Sequence, residues 1–194
     1  MTNRVSIDVR PLTANEWPTA MAVTARAFLH EPFIVNLCGH DLIDRYARVM
    51  AFYAETPYNP ESLGALIGHT IVGCIGVESQ GHCHHCLAAA QVNDPATSTY
   101  QRNATLAHLA APPNHGWVGR VAVEPALHGS GIGGLLMGAA LARLEGQHTP
   151  TALLDCEPHR VSYYAKRGFT EVDRFMGSFN NTIVMMAAHT GEVT

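Results

Sequence analysis

The chain has 194 residues, of which 47% are hydrophobic and 14% charged, and its formal net charge is −4. This composition forms a hydrophobic core, which excludes an intrinsically disordered chain. The 12 Lys and Arg residues are scattered and form no basic run, so we expect no nucleic acid among the partners. The length suits a single domain over residues 1–194.

The chain carries no pattern typical of a membrane or secreted protein. No stretch of about 18 apolar residues is present, so we expect no membrane span. Residues 1–11 are polar and strand-like and lack the apolar region of a signal peptide. The five cysteines are an odd number, and a chain of this size needs no disulfide staples. We therefore predict reduced thiols and a cytoplasmic location.

The chain begins with a predicted strand followed by a helix. Residues 4–10 alternate apolar and polar side chains, which is typical of a strand. The helix would be capped by Thr13 or, preferably, by Asn15. Asn15 is preferred because Pro18 then lies in the first turn, where its missing N–H costs nothing.

A second helix is predicted over residues 41–54, after a break at Glu31-Pro32. Asp41 is its candidate N-terminal cap. The side chains expected near one face of this helix are those of Ile43, Tyr46, Met50 and Tyr53. Residues 63–67 and 71–78 then predict two strands joined by a turn.

The next stretch contains a cluster of cysteine and histidine residues at 82–86, before a predicted helix over 99–109. Cys83 and Cys86 have the Cys-x-x-Cys spacing of two zinc ligands. Structural zinc sites usually add a second pair at a set distance, and the other cysteines offer no such spacing. We therefore expect no metal and interpret this cluster as part of a loop.

The second half of the chain predicts a regular alternation of strands and helices. A strand over residues 117–123 enters a glycine-rich turn, and a helix that is apolar on nearly every face leaves it. The remaining predicted elements are a strand at 152–156, a short helix at 161–166 that ends at Gly168, and strands at 169–176 and 182–188.

The glycine-rich turn has the composition of an anion site. Gly129, Gly131, Gly133 and Gly134 let backbone N–H groups converge, because no Cβ blocks their approach. The N-terminus of the following helix adds further N–H donors and a partial positive charge. Such a turn suits a pyrophosphate. No Lys-Ser or Lys-Thr follows it, which excludes a P-loop, and its late position differs from a Rossmann fingerprint.

Two segments resemble the GCN5-related N-acetyltransferase (GNAT) family. His128-Gly129-Ser130-Gly131-Ile132-Gly133 is similar to that family's [Gln/Arg]-x-x-Gly-x-[Gly/Ala] motif, with His128 where Gln or Arg is usual. Tyr164-Ala165-Lys166-Arg167-Gly168-Phe169 is similar to a second family block, a Tyr four residues before Gly-Phe. The order and separation of the two segments agree with the family.

The resemblance implies an α/β acyl-CoA N-acyltransferase fold, with a mixed central sheet of about six to seven strands flanked by helices. It implies a CoA-binding half at about 115–176 and an acceptor-binding half at about 4–114. The implied activity is acetyl transfer from acetyl-CoA, as co-substrate, to a primary amine of a small molecule or peptide by direct attack. Relatives frequently pair through their C-terminal strands, so a homodimer is also allowed.

The resemblance also implies roles for particular residues. Tyr164 would protonate the departing thiolate, and either His115 or Glu78 is a candidate for the base that takes a proton from the amine. His30 or Glu31 would face the acceptor. The residues implied to bind the cofactor are Val121, Ala122 and Val123 along the fourth strand, and His128, Gly129, Ser130, Gly131, Ile132, Gly133 and Gly134 in the turn.

A second functional class stays open at this point. The Cys83–Cys86 loop and the uncertain base also fit a non-catalytic module, either an acetyl-CoA-binding sensor or a metal-responsive protein. Metal content and acetyl transfer to a panel of amines distinguish the two hypotheses.

Overall fold

A computed structural model describes residues 6–79, 83–84, 93–95 and 97–191. The predictions that concern residues 4–5, His82, His85 and Cys86 therefore lie outside the described residues. None of the helices in the described part of the chain is long and apolar enough to cross a membrane.

The described residues form an α/β fold around one seven-stranded sheet, as predicted. The strands are β1 (Ile7–Pro11), β2 (Leu63–Ile67), β3 (Thr70–Glu78), β4 (His115–Val123), β5 (Thr151–Cys156), β6 (Thr170–Met176) and β7 (Thr182–His189). The helices are α1 (Trp17–Phe28), α2 (Pro32–Cys38), α3 (Leu42–Ala54), α4 (Thr99–Ala110), α5 (Ile132–Gly146) and α6 (Val161–Ala165).

The strand order in the sheet is β1-β2-β3-β4-β5-β7-β6. β1 pairs with β2, β2 with β3, β5 with β7 and β6 with β7 in antiparallel fashion. β4 and β5 are parallel, with His115 opposite Thr151 and Trp117 opposite Leu153. The sheet is therefore mixed, which confirms the prediction made from the sequence.

The chain divides into two compact units. The first comprises Met1–Gly76 and Arg120–Ala140, and the second comprises Val77–Gly119 and Leu141–Thr194. In the first unit, a core cluster includes Val23, Ile34 and Val49, which come from α1, α2 and α3. A cluster in the second unit includes Ala107 of α4, Leu153 of β5 and Met185 of β7. The prediction of a single domain with halves at 4–114 and 115–176 stays a prediction.

The start of α1 differs from the prediction. The N-cap residue is Glu16, so the expectation of Thr13 or Asn15 was wrong, although Pro18 does lie in the first turn. The Glu16 carboxylate accepts hydrogen bonds from the Thr13 amide at 2.9 Å and the Thr13 hydroxyl at 2.8 Å. Arg10 holds the same carboxylate from β1, with Nη1 3.0 Å from Oε2. This local network fixes the helix start at Glu16.

The predicted break at Glu31-Pro32 is the start of a further helix. Pro32 is at the beginning of α2, where its fixed φ fits the helix and its missing N–H is not needed. Ile34 and Cys38 of this helix are buried. A seven-residue helix leaves too short a periodic pattern to be recognised in the sequence.

α3 has the predicted position but turns a different face to the core. Arg45, Val49 and Tyr53 are its buried residues, whereas Ile43 is 81% exposed, so the expectation for Ile43 was wrong. The Arg45 guanidinium donates at 3.0 Å to the carbonyl oxygens of Gly39 and His40. These bonds pair one nitrogen of the guanidinium at a position that a hydrophobic pattern assigns to solvent. The buried Nε of Arg45 has no hydrogen-bond partner among the described residues.

The predicted cap of α3 is present and leads to a testable expectation. The Asp41 carboxylate accepts hydrogen bonds from the amides of Ile43 at 2.9 Å and Asp44 at 3.0 Å. Asp41→Ala leaves both donors without this acceptor, so we expect the free energy of unfolding to fall by about 1 kcal/mol. Asp41→Asn keeps a capping oxygen and is the matched control. Equal stability of the alanine and asparagine variants in urea denaturation would contradict this role.

Candidate functional site

The glycine-rich turn connects the end of β4 to the start of α5 in the first unit. A short 3-10 turn at Pro125–Leu127 follows β4, and α5 begins at Ile132. Between them, Gly129 and Gly131 have φ values of 83° and 89°. Side chains other than glycine rarely adopt this left-handed backbone without strain. These two glycines therefore allow the chain to turn sharply before the helix begins.

Several amides of this turn have no acceptor among the described residues. Within residues 128–134, which are all described, the backbone N–H groups of Gly129, Gly131, Ile132 and Gly133 donate to none of the described residues. The Ser130 and Gly134 amides do donate, to Leu127 O at 3.2 Å and Gly131 O at 2.9 Å. The first helical amides of α5 add the partial positive charge of a helix N-terminus. Open amides at the N-terminus of a helix are the kind of donors that bind anions in proteins.

The polar side chains of the turn hold its shape. His128 Nε2 lies 3.0 Å from the carbonyl oxygen of Val123, to which it donates. The Ser130 hydroxyl donates to the Leu127 carbonyl at 2.6 Å. His128 thus holds the turn to the end of β4. Sequence reasoning considered it only as a phosphate contact.

The end of β4 leads directly into this turn. The parallel pairing of β4 with β5 covers His115–Trp117, so Val121–Val123 lie outside that ladder. Ala122 is buried, and Val121 and Val123 are half-buried. A strand segment that lacks a partner along one edge keeps the backbone groups of that edge available for an extended ligand. The sequence placed these three residues correctly on the strand.

Arg120 adopts an unusual backbone in the middle of β4. Its φ is 51°, which is uncommon for a residue other than glycine and marks a local departure from an extended strand. It comes immediately before Val121–Val123. Sequence reasoning missed this feature, because arginine has no preference for the left-handed region and the surrounding pattern is that of an ordinary strand.

Two contacts fix the position of the turn within the first unit. Glu124 binds Arg26 of α1 through both carboxylate oxygens, with Nε 3.0 Å from Oε1 and Nη2 2.9 Å from Oε2. The Glu124 amide donates to Val72 O at 2.8 Å. Gly73 has no room for a side chain, since a Cβ there would lie 2.9 Å from Ala122 O. β3 and α1 therefore hold the end of β4 before the turn starts.

Tyr164 lies on α6, in the second unit. Its ring contacts those of Tyr163 and Phe169, with centroids 5.1 and 6.1 Å away. Its hydroxyl makes no hydrogen bond within the described part of the chain. Burial raises the pKa of Tyr164, with a smaller contribution from Cys156. The phenol is therefore protonated at neutral pH and has a proton to donate.

The two candidate bases, Glu78 and His115, lie in the second unit and are both buried. The Glu78 carboxylate accepts hydrogen bonds from the His84 amide at 2.8 Å and from His84 Nδ1 at 2.7 Å. His115 Nδ1 donates to the carbonyl oxygen of Pro112 at 2.9 Å. Glu78 is thus part of a carboxylate–imidazole pair that sequence reasoning did not foresee, because His84 belongs to the loop that follows β3. His30 and Glu31 lie between α1 and α2, in the first unit.

A protein-family model matches most of the chain. The chain matches the family model described as acetyltransferase (GNAT) family over residues 29–169. The comparison with curated proteins found no match.

Three solved structures illustrate the similarity of fold. The PaiA N-acetyltransferase of Thermoplasma acidophilum in complex with coenzyme A has 16% identity and a TM-score of 0.61, covering 95% of this chain and 99% of that one. An agmatine N-acetyltransferase has 15% identity and a TM-score of 0.63, with 94% and 99% covered. The ribosomal-protein-S18-alanine N-acetyltransferase of Escherichia coli has 12% identity and a TM-score of 0.58, with 95% and 94% covered. At such identities the likeness establishes a shared fold.

Proposed function

The chain belongs to the acetyltransferase (GNAT) family, and on that premise we propose that it moves the acetyl group of acetyl-CoA directly to a primary amine of a small molecule or peptide. Membership makes it an acetyl-CoA-dependent N-acetyltransferase. The proposal adds the residues that carry the reaction and the class of acceptor. The single observation that supports it most is the group of open amides at the turn before α5.

The turn would bind the pyrophosphate of acetyl-CoA. The amides of Gly129, Gly131, Ile132 and Gly133 are the donors that have no other acceptor among the described residues. Ser130 and Gly134 are weaker candidates, because their amides already donate within the turn. His128 would support the site by holding the turn to Val123.

The pantetheine arm would extend along the backbone of Val121, Ala122 and Val123. This segment lies outside the pairing with β5, which leaves peptide groups available to an extended ligand. A backbone N–H of this segment would also stabilise the negative charge that develops on the thioester oxygen. Arg120, whose φ is 51°, comes directly before this segment.

The chemical step forms a C–N bond and breaks a C–S bond. The neutral amine attacks the thioester carbonyl, and the electron pair of the C–S bond leaves with sulfur as the CoA thiolate. Tyr164 would protonate that thiolate, since its raised pKa keeps the phenol protonated until the thiolate forms. Glu78 or His115, acting through water, would receive the proton that the amine loses.

The acceptor is proposed as a class only. One protein of similar fold is an agmatine N-acetyltransferase and another is a ribosomal-protein-S18-alanine N-acetyltransferase. Small amines and peptide N-termini are therefore both within the proposal, and the net charge of −4 favours a cationic acceptor. A cytoplasmic location belongs to the proposal as well, because Cys38, Cys74, Cys83 and Cys156 are buried thiols. A homodimer stays a prediction.

Release of CoA thiol tests the proposed activity. Full-length protein and acetyl-CoA are incubated with a panel of polyamines, small primary amines and peptides with free N-termini, alongside a reaction without acceptor. We expect at least one amine to raise thiol release above the acceptor-free rate and to gain one acetyl group by mass spectrometry. Acetyl-CoA binding without transfer to any member would instead support a non-catalytic sensor.

A further inference from the structure

A second cluster of reactive side chains lies away from the glycine-rich turn, entirely within the second unit. Cys83, His108 of α4 and His115 of β4 are 1%, 1% and 8% exposed. Each offers one sulfur or nitrogen atom, and these atoms all lie within 4.8 Å of one another. Three soft or borderline donors converging in a buried site are the ligand types that Zn²⁺ prefers.

The distance between the first two donors matches metal ligation. Cys83 Sγ lies 3.4 Å from His108 Nδ1. In a tetrahedral zinc site, bonds of about 2.3 Å to sulfur and 2.0 Å to nitrogen place these ligands roughly 3.6 Å apart. The same distance also fits a thiol–imidazole hydrogen bond. The orientation of His115 therefore decides between metal ligation and a hydrogen bond.

His115 is oriented in the way that a ligating histidine requires. Its Nδ1 donates to the carbonyl oxygen of Pro112 at 2.9 Å. That bond leaves the proton on Nδ1 and the lone pair on Nε2. A backbone carbonyl that holds the far nitrogen of the imidazole is the usual support of a histidine ligand. The His115 ring also lies near that of His108, with centroids 5.4 Å apart.

The cluster is enclosed by other side chains of the same unit. The Glu78–His84 pair belongs to this unit, and the ring centroid of Trp117 lies 5.0 Å from that of His84.

We propose that Cys83, His108 and His115 form a buried zinc-binding site. The thiolate of Cys83 and one nitrogen of each imidazole are three ligands, and a further donor such as water completes a tetrahedron. The ion would connect the segment after β3 to α4 and to the start of β4. This proposal goes beyond the transferase activity and replaces the sequence-based expectation of no metal. Because it engages both nitrogens of His115, it leaves Glu78 as the candidate base of the proposed reaction.

The sequence conceals this site because its ligands are far apart. Reasoning from spacing paired Cys83 with Cys86, whereas the structure surrounds Cys83 with His108 and His115. The separation of 25 residues between Cys83 and His108 exceeds that of the usual short zinc motifs. Only the packing of α4 beside the start of β4 brings these donors together.

Metal analysis of the full-length protein tests the proposal. We expect about one zinc per chain in the purified protein, and well under a tenth of that in Cys83→Ser and His115→Gln. Replacing the ion with Co²⁺ should produce the visible bands of a tetrahedral site and a sulfur-to-cobalt charge-transfer band that Cys83→Ser lacks. Removing the ion with a chelator should lower the wild-type Tm by roughly 5 °C or more, and added zinc should restore it.

Matched variants separate this site from other thiols and imidazoles of the same unit. Cys156→Ser removes another buried thiol, and His189→Gln removes an exposed imidazole, so both should keep a full complement of zinc.

Wild-type protein that takes up no zinc even when it is supplied would overturn the proposal and leave a hydrogen-bonded core cluster. Zinc that stays in both ligand variants would equally overturn it, and stoichiometric copper would overturn the identity of the ion. The chelation arm uses wild-type protein, so it remains decisive if a ligand variant fails to fold.

Discussion

Gly131→Asp is expected to weaken acetyl-CoA binding about 100-fold while leaving the fold intact. Gly131 has a φ of 89°, and no described atom lies within 4 Å of the position that a Cβ would take. Aspartate tolerates the left-handed region better than most residues, so the backbone penalty is small. Its carboxylate would sit at the N-terminus of α5, where the pyrophosphate is proposed to bind. Two unit charges about 4 Å apart near a protein surface repel by about 4 kcal/mol, which solvent and salt reduce.

Gly131→Asn is the control for this experiment. Asparagine has nearly the same shape and backbone tolerance but carries no charge, so we expect a loss of less than about tenfold. Calorimetric titration with acetyl-CoA measures both dissociation constants, and thermal unfolding checks that both variants fold. The ratio of the two dissociation constants should fall at high salt, because screening weakens the repulsion between the aspartate and the pyrophosphate. Equal affinities for the aspartate and asparagine variants would place the pyrophosphate away from this turn.

Tyr164→Phe is expected to lower kcat about 100-fold and to change the dissociation constant of acetyl-CoA by less than about threefold. A positioned general acid usually contributes about 100-fold to 10,000-fold, and the lower end applies here because a thiolate is already a good leaving group. The phenol makes no hydrogen bond within the described residues, so its loss removes a proton donor without breaking a structural contact.

The neighbouring tyrosine gives a matched control. Tyr163→Phe also deletes one hydroxyl from α6, and the aromatic ring that lies 3.6 Å from the Arg167 guanidinium carbon is kept. We expect this variant to retain near-normal kcat. Steady-state thiol release gives kcat, and calorimetry gives the affinity for acetyl-CoA. A Tyr164→Phe enzyme with unchanged kcat would remove Tyr164 from the acid role, and a large loss of affinity alone would make it a binding residue.

The sequence predicted those parts of the fold that depend on neighbouring residues. The glycines at 129 and 131 are needed for left-handed backbone directly before a helix, so composition and order alone located the turn. The Asp41 cap is likewise a contact between residues two and three positions apart. Strand alternation and the apolar helix α5 were recognisable for the same reason, since each pattern repeats within a short window.

Other features escaped prediction because no repeating sequence pattern marks them. The hydrogen bond from His128 to Val123 and those from Arg45 to Gly39 and His40 join residues only five or six positions apart, and the left-handed Arg120 lies within an ordinary strand pattern. The Cys83 cluster is the clearest example. A spacing rule compares positions along the chain, whereas the donors of this cluster meet only after α4 and β4 have packed.

A crystal structure of the full-length protein with CoA tests the central claim most directly. The account predicts diphosphate oxygens at hydrogen-bond distance, about 2.7–3.2 Å, from the amide nitrogens of Gly129, Gly131 and Gly133, with the pantetheine beside Val121–Val123. A diphosphate held by side chains elsewhere on the molecule, with these amides facing solvent, would contradict it.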